Sequence, residues 1–174
     1  LPLDFERHPG LPTEAWLCEA FEVERQQDWP IAALTLAFDG GEPGTDYWLR
    51  ADPIHLKVTR DRLMLVESAL FEIDLDEAHA LVATLNGHFA HSGIVFHATQ
   101  SRRWYVQLPR APALVTRLPS EVAGRNVDHF LPSGADALAW HRSWNEIQML
   151  LHDHSVNEQR EARGQPAVNS VWFW

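Results

Sequence analysis

The sequence is poor in cysteine and in long apolar runs, and each shortage excludes a class of protein. Cys18 is the only cysteine among 174 residues, so the chain can form neither an internal disulfide nor a cysteine-based zinc site. No run reaches the roughly 18 consecutive apolar residues of a membrane span, and no basic-then-apolar leader opens the chain. We therefore expect no membrane partner and a reducing, cytoplasmic setting.

Basic residues are also scarce, which bears on the partners of the protein. The chain carries 14 Lys and Arg against 24 Asp and Glu, for a net charge of -10. Nucleic-acid binding depends largely on Lys and Arg at the phosphates, so broad contact with nucleic acid is not expected. An acidic surface still permits a small basic pocket. A small phosphorylated or carboxylate ligand is therefore compatible with this composition.

Sequence signatures of catalysis are missing as well. The chain contains no GxSxG elbow, P-loop, dinucleotide fingerprint, HExxH motif or EF-hand loop. His152-Asp153-His154 is a candidate metal site, but residues two apart on a helix point to different faces, so a solvated helix end is the preferred interpretation. We predict neither a nucleophile nor a metal site in these residues, and whether the protein is an enzyme stays open.

Periodicity predicts one α+β domain over 47–174, preceded by a helix-and-loop region over 1–46 that packs with it. A short helix capped at Thr13 should turn an apolar face inward, while 31–38 reads as either a strand or a helix. Longer helices are predicted over 74–90 and 136–152, and the second carries a buried stripe of Trp140, Trp144, Ile147 and Leu151. A last short helix from Ser155 or Asn157 runs through Arg160.

The strands should form a mixed or antiparallel sheet of four to five strands, built from two hairpins, with the helices on one face. We expect Asp52-Pro53 to divide the extended stretches 47–50 and 55–58. Turns at 59–62 and 100–101 close the two hairpins, and 169–174 forms the last strand. The proline-rich stretch 109–132 predicts a long irregular connection.

Both ends of the sequence look cut. The chain begins at Leu1 rather than Met and stops in the apolar, β-prone run Val171-Trp172-Phe173-Trp174, whereas a natural terminus is usually polar and frayed. We therefore expect a piece of a longer protein.

Arginine and asparagine side chains suggest anion recognition. Asn157, Arg160 and Arg163 fall within two helical turns and precede Asn169, and guanidinium groups bind phosphate or carboxylate in bidentate fashion. Arg50 lies in a predicted strand, and Arg102-Arg103 opens another. Taken singly, such arginines are more typical of surface ion pairs.

The stretch 152–172 carries Asp153, His154, Asn157, Arg160, Gly164, Pro166, Asn169 and Trp172 in that order. It resembles a segment of the archaeal-type, cofactor-independent phosphoglycerate mutases of the alkaline phosphatase superfamily and, more closely, a group of uncharacterised bacterial proteins similar to that mutase. Weaker similarity extends over 47–58, 77–88 and 96–108. Where the family usually has proline after the histidine, this chain has Ser155, which suggests a looser turn.

This resemblance implies the inserted domain that closes over the substrate, with the metal ligands and the Ser or Thr nucleophile of the family on either side of it. It implies an anion clamp at Arg160 and Arg163, oriented by Asn157 and Asn169, with a second clamp at Arg50 or Arg103. No cofactor is expected in this fragment; manganese or zinc would belong to the full-length isomerase.

A rival hypothesis is a non-catalytic binding or regulatory module that keeps the fold without the chemistry. It rests on the missing nucleophile, on eight tryptophans and on the apolar run 172–174, which could serve an interface. Core packing is the simpler explanation of the tryptophans. A homodimer through an exposed strand edge is compatible with either hypothesis.

Overall fold

An antiparallel sheet of five strands is the centre of the fold. The structure is a computed structural model that describes residues 13–24, 29–60 and 62–174. The strands are β1 (Tyr47–Val58), β2 (Leu63–Glu67), β3 (Val95–Gln100), β4 (Arg103–Leu108) and β5 (Ser170–Phe173). Their order is β2-β1-β4-β3, and β5 pairs with β1. This confirms the predicted α+β class and both hairpins, although Asp61 in the first turn lies outside the described residues.

Strand β1 changes partners along its length. Residues 47–50 pair with β4, residues 54–58 pair with β2, and residues 51–54 pair with β5. The predicted division at Asp52-Pro53 is therefore wrong, because one strand runs through it. Proline is tolerated here since the missing N–H of Pro53 falls between the β4 and β2 pairings, where no ladder bond is lost.

Two helices with clear apolar stripes cover one face of the sheet, as the sequence predicts. They are α3 (Leu75–Phe89) and α5 (Ala137–His152). The predicted stripe of α5 is buried, and the indole Nε1 of Trp144 donates to Val171 O at 2.8 Å. Helix α6 (Ser155–Ala162) follows and contacts α3. These elements enclose the main core.

The opposite face of the sheet carries a smaller layer. The ambiguous segment 31–38 is a helix, α2 (Ile31–Phe38), and its Leu36 packs with Tyr105 in a second, separate cluster. Helix formation is understandable because five of its eight residues are alanine or leucine, which favour helices, and none is Gly or Pro. Its outer residues Leu34 and Phe38 are exposed.

The first helix departs from its predicted packing. Helix α1 (Thr13–Ala20) forms as expected, but Trp16, Leu17 and Phe21 are exposed rather than buried. The spacing of apolar residues predicts that they share one face of the helix. It does not predict whether another element packs against that face. The rest of the predicted N-terminal region, 1–12 and 25–28, lies outside the described residues.

The long connection 109–132 is mostly irregular, as predicted. It contains the short helix α4 (Pro119–Val122) and a 3₁₀ turn at Val127–His129. Among the residues that the structure describes, no helix combines the length and apolarity that crossing a bilayer requires.

Candidate anion-binding site

Arg160 on α6 is held inside the protein. Its side chain is about 1% exposed, its Nε donates to Pro166 O at 2.9 Å, and a terminal nitrogen donates to Glu72 O at 2.7 Å. The other terminal nitrogen pairs with the carboxylate of Glu77 on α3. Burial would raise the pKa of Glu77, but the Asp74 N–H and the two arginines beside it lower that pKa overall. The guanidinium of Arg160 therefore links three segments of the chain.

The neighbouring predicted residues also have partners within the chain. Arg163, half exposed, donates to the same Glu77 carboxylate. Buried Asn157 donates to Leu151 O at 2.7 Å and accepts from Val168 N at 2.8 Å.

Asn169, just before β5, bonds to the backbone of β1. Its side chain accepts from Leu56 N at 2.7 Å and donates to Leu56 O at 3.0 Å. This amide continues the pairing of β1 where β5 has not yet begun. The bonds favour a structural role for the motif of Asn157, Arg160, Arg163 and Asn169, and its ligand role stays a prediction.

The other two predicted residues, Arg50 and Arg103, come together at a different place. They line a cavity of about 360 Å³ at the point where β1 changes partners, and Arg102 lies beside them. The hydroxyl of Ser68 donates to Arg102 O at 3.3 Å, which joins the end of β2 to the start of β4. We call this cavity the notch. It exists because the β4 and β2 pairings leave a gap along β1.

The wall of the notch contains a buried ion pair between Arg50 and Asp52. A terminal nitrogen of Arg50 lies 2.7 and 2.8 Å from the two carboxylate oxygens, and Trp174 Nε1 donates to Asp52 at 2.9 Å. The guanidinium carbon is 5.2 Å from the ring centre of Tyr105 and 4.9 Å from that of Trp174, so Arg50 is stacked between them. Burial raises the pKa of Asp52, against the opposing effects of Arg50 and the hydrogen bonds.

Arg103, like Arg50, is contacted from the face of the sheet that carries α2. Its guanidinium donates to Asp39, directly after α2, and Tyr105 Oη donates to the same carboxylate at 2.7 Å. The carboxylate is about 1% exposed, whereas the Arg103 side chain is 38% exposed. Burial, with a contribution from Asp39, raises the pKa of Tyr105 to about 12. The exposed part of the Arg103 guanidinium leaves room for a further contact.

Arg102 has the weakest ion pair of the three arginines in the notch. Its nearest carboxylate is Glu72, at 3.8 Å, and the two side chains are 44% and 83% exposed. An ion pair between side chains this exposed contributes little to the stability of the fold. Arg102 is therefore the cation of the notch that a ligand can engage at the smallest cost.

Reasoning from the sequence missed three residues that shape the notch: Asp39, Asp52 and Trp174. Asp39 stood in a predicted loop and Asp52 at a predicted strand break, so neither carried a periodic signal. The strand prediction for 169–174 could have placed Trp174 beside a neighbouring strand, but not beside Arg50 in particular.

The described part of the chain contains no group of three or more His, Cys, Asp or Glu side chains that could hold a metal ion. His154 instead caps α6, since its Nδ1 accepts from Val156 N at 3.2 Å. Burial lowers the pKa of His154. The manganese or zinc that the family resemblance implies would belong to the full-length protein, and it stays a prediction.

Comparison with known proteins adds a fold relationship. No protein-family model and no curated protein sequence matches the chain. Among solved structures, the cofactor-independent phosphoglycerate mutase from Thermoplasma acidophilum DSM 1728 has a similar fold, with a TM-score of 0.60 at 13% sequence identity. The fold is phosphoglycerate mutase-like. The similarity covers 94% of this chain and 45% of the mutase chain, so the chain spans less than half the length of that mutase.

Proposed function

We propose that this mutase-like domain binds the anionic group of a small phosphorylated or carboxylate ligand in the notch. The observation that carries the proposal is the convergence of Arg50, Arg102 and Arg103 on one cavity. Guanidinium groups suit phosphate and carboxylate oxygens because their donors form a planar fork.

The exposure of two arginines, rather than net charge, supports an anion there. Each of the three arginines has a carboxylate near it, but the side chains of Arg102 and Arg103 are still 44% and 38% exposed at the cavity. Their remaining N–H donors are therefore accessible to an anionic ligand. Arg50 is bonded to Asp52 through Nε and one terminal nitrogen, and its other terminal nitrogen lies 3.5 Å from Thr35 Oγ1, so its role is to fix the wall of the notch and the Trp174 indole. Arg102 and the exposed part of Arg103 make the contacts with the anion.

In the full-length protein, the notch would act as the substrate-capping part of a phosphoglycerate mutase-like isomerase. A nucleophile and a divalent metal, manganese or zinc, would then belong to residues outside this chain. The domain would hold the phosphate or carboxylate end of the substrate while the reaction proceeds elsewhere. The support for this is the fold relationship and the anion-binding chemistry of the notch.

Calorimetric titration of the intact protein with 3-phosphoglycerate and with inorganic phosphate tests the proposal. Arg102→Gln should weaken 3-phosphoglycerate binding about fivefold, the effect of losing one partly exposed charged contact. Arg142→Gln, an exposed change on α5 outside the notch, is the matched control and should leave binding unchanged. If the Arg102→Gln variant and the unchanged protein bound 3-phosphoglycerate equally tightly, the notch would not be the site of anion binding.

A second candidate function is a non-catalytic binding module that dimerises. The observation in its favour is the outer face of α2, where Leu34 and Phe38 are 47% and 85% exposed. Light scattering over a concentration series, with Phe38→Ser as the variant, tests it. A dimer that Phe38→Ser dissociates supports the module, and a monomer at every concentration counts against it.

A further inference from the structure

One of the carboxylates that line the notch takes no part in the ion pairs of the three arginines. Glu67 ends β2 and lines the cavity. Arg50 pairs with Asp52 and Arg103 with Asp39, while the carboxylate nearest to Arg102 is that of Glu72. Among the described residues, therefore, no cation of the notch pairs with Glu67.

The position of Glu67 follows from the pairing of the strands. Ile54 is its partner in the β1–β2 register, so Glu67 stands at the far end of the gap from Arg50, whose partner on β4 is Tyr105. Arg102 and Arg103 enter the cavity from the start of β4. The notch thus presents arginines from the start of β4 and a carboxylate from β2 to one cavity that is open to solvent.

We propose that the ligand of the notch is a small zwitterion, whose phosphate or carboxylate meets Arg102 and Arg103 and whose ammonium group meets Glu67. This inference rests on the proposed anion binding and names the chemical class of its ligand. An ammonium group supplies the cation that Glu67 lacks. Trp174 also lines the cavity, and its indole already stacks with one cation, the Arg50 guanidinium, at 4.9 Å.

A matched pair of ligands isolates the ammonium group. Phosphoethanolamine and ethyl phosphate share a two-carbon phosphate ester, and only the first carries an amine. Ethyl phosphate has the larger net negative charge, so attraction to the arginines alone would favour it. Glu67 reverses this order, and we expect phosphoethanolamine to bind about three to ten times more tightly in titrations of the intact protein.

Two variants assign that preference to Glu67. Glu67→Gln should abolish or reverse it, while ethyl phosphate binds the variant at least as tightly as before. Glu72→Gln is the matched control, because Glu72 is an exposed carboxylate near Arg102 that does not line the notch. The control should keep the preference, and thermal unfolding should show both variants folded.

The outcomes separate this inference from the anion-binding proposal. Suppose that both phosphates bind, with ethyl phosphate the tighter, and that Glu67→Gln leaves both affinities unchanged. In that outcome the zwitterion proposal is wrong and the anion-binding proposal stands. An equal loss of the preference in Glu72→Gln would make it a general charge effect and overturn the role of Glu67. If neither phosphate binds, both proposals fail.

Discussion

The two arginine clusters of this domain resemble each other in composition and differ in what they leave available. Arg160 is about 1% exposed and bonds to Glu77 and to two backbone carbonyls on separate segments. In the notch, Arg102 and Arg103 keep 44% and 38% of their side chains exposed. A guanidinium with every direction occupied supports the fold, whereas one that is partly exposed beside a cavity can bind a ligand.

The carboxylates of the two clusters respond differently to burial. The pKa of Glu77 is lowered, because its hydrogen bonds and arginines outweigh the effect of burial. The pKa of Asp52 is raised, because burial dominates despite the Arg50 pair. Glu77 therefore favours folding above its unfolded pKa of about 4.5 and loses that contribution as the pH falls through the lower folded value.

The largest effect should come from removing the buried arginine. Arg160→Ala leaves the Glu77 carboxylate and the carbonyls of Glu72 and Pro166 without their donor, so the free energy of unfolding in urea should fall by about 3 kcal/mol. Arg163→Ala, which removes the half-exposed arginine from the same carboxylate, should cost less than about 1 kcal/mol. If Arg160→Ala instead left stability unchanged and weakened phosphate binding, Arg160 and its neighbours would be part of the binding site.

A smaller loss is expected at the amide beside it. Asn157→Ala removes both bonds to Val168 and the bond to Leu151 O, so the free energy of unfolding should fall by about 2 kcal/mol. Chemical denaturation measures it, with phosphate affinity recorded on the same samples. Affinity should stay unchanged in Asn157→Ala, and a marked loss would contradict the separation of the two clusters.

The notch should respond in affinity more than in stability. Asp39→Asn removes the charge that holds Arg103, so the guanidinium becomes available and phosphate affinity should rise about threefold. The free energy of unfolding should fall by about 1 kcal/mol, since Tyr105 Oη keeps an oxygen acceptor. Arg103→Gln is the companion variant and should bind phosphate more weakly. A fall in affinity in Asp39→Asn would show that Arg103 needs its carboxylate in order to bind.

The smallest effect is one of pH on the α6 cluster. The folded pKa of His154 lies below its usual 6.5, so its full contribution to stability is present above that value and is lost as the pH falls through the folded pKa. Protonation removes the Nδ1 acceptor of the cap, which is worth no more than about 1 kcal/mol. In denaturation between pH 7.5 and 5, His154→Asn, a cap that does not titrate, should show a shallower decline. Identical slopes would exclude His154 as the source.

Prediction from the sequence succeeded where the signal was local. The stripes of α3 and α5, both hairpins and the α+β class follow from periods of 3.6 and 2 over short windows. It failed at 47–58, where Asp52-Pro53 reads as a break. The partner change that accommodates Pro53 is set by β4 and β5, which lie far along the chain.

The sequence by itself determined the class of fold, the main helices and which arginines to consider, because these depend on residue type and spacing. The tertiary structure alone decided which arginines a ligand could reach. Arg160 meets Glu77 across 83 residues and Arg103 meets Asp39 across 64, and such distant pairings leave no periodic trace. The same is true of the notch, which exists only because two strands share β1 and leave a gap between them.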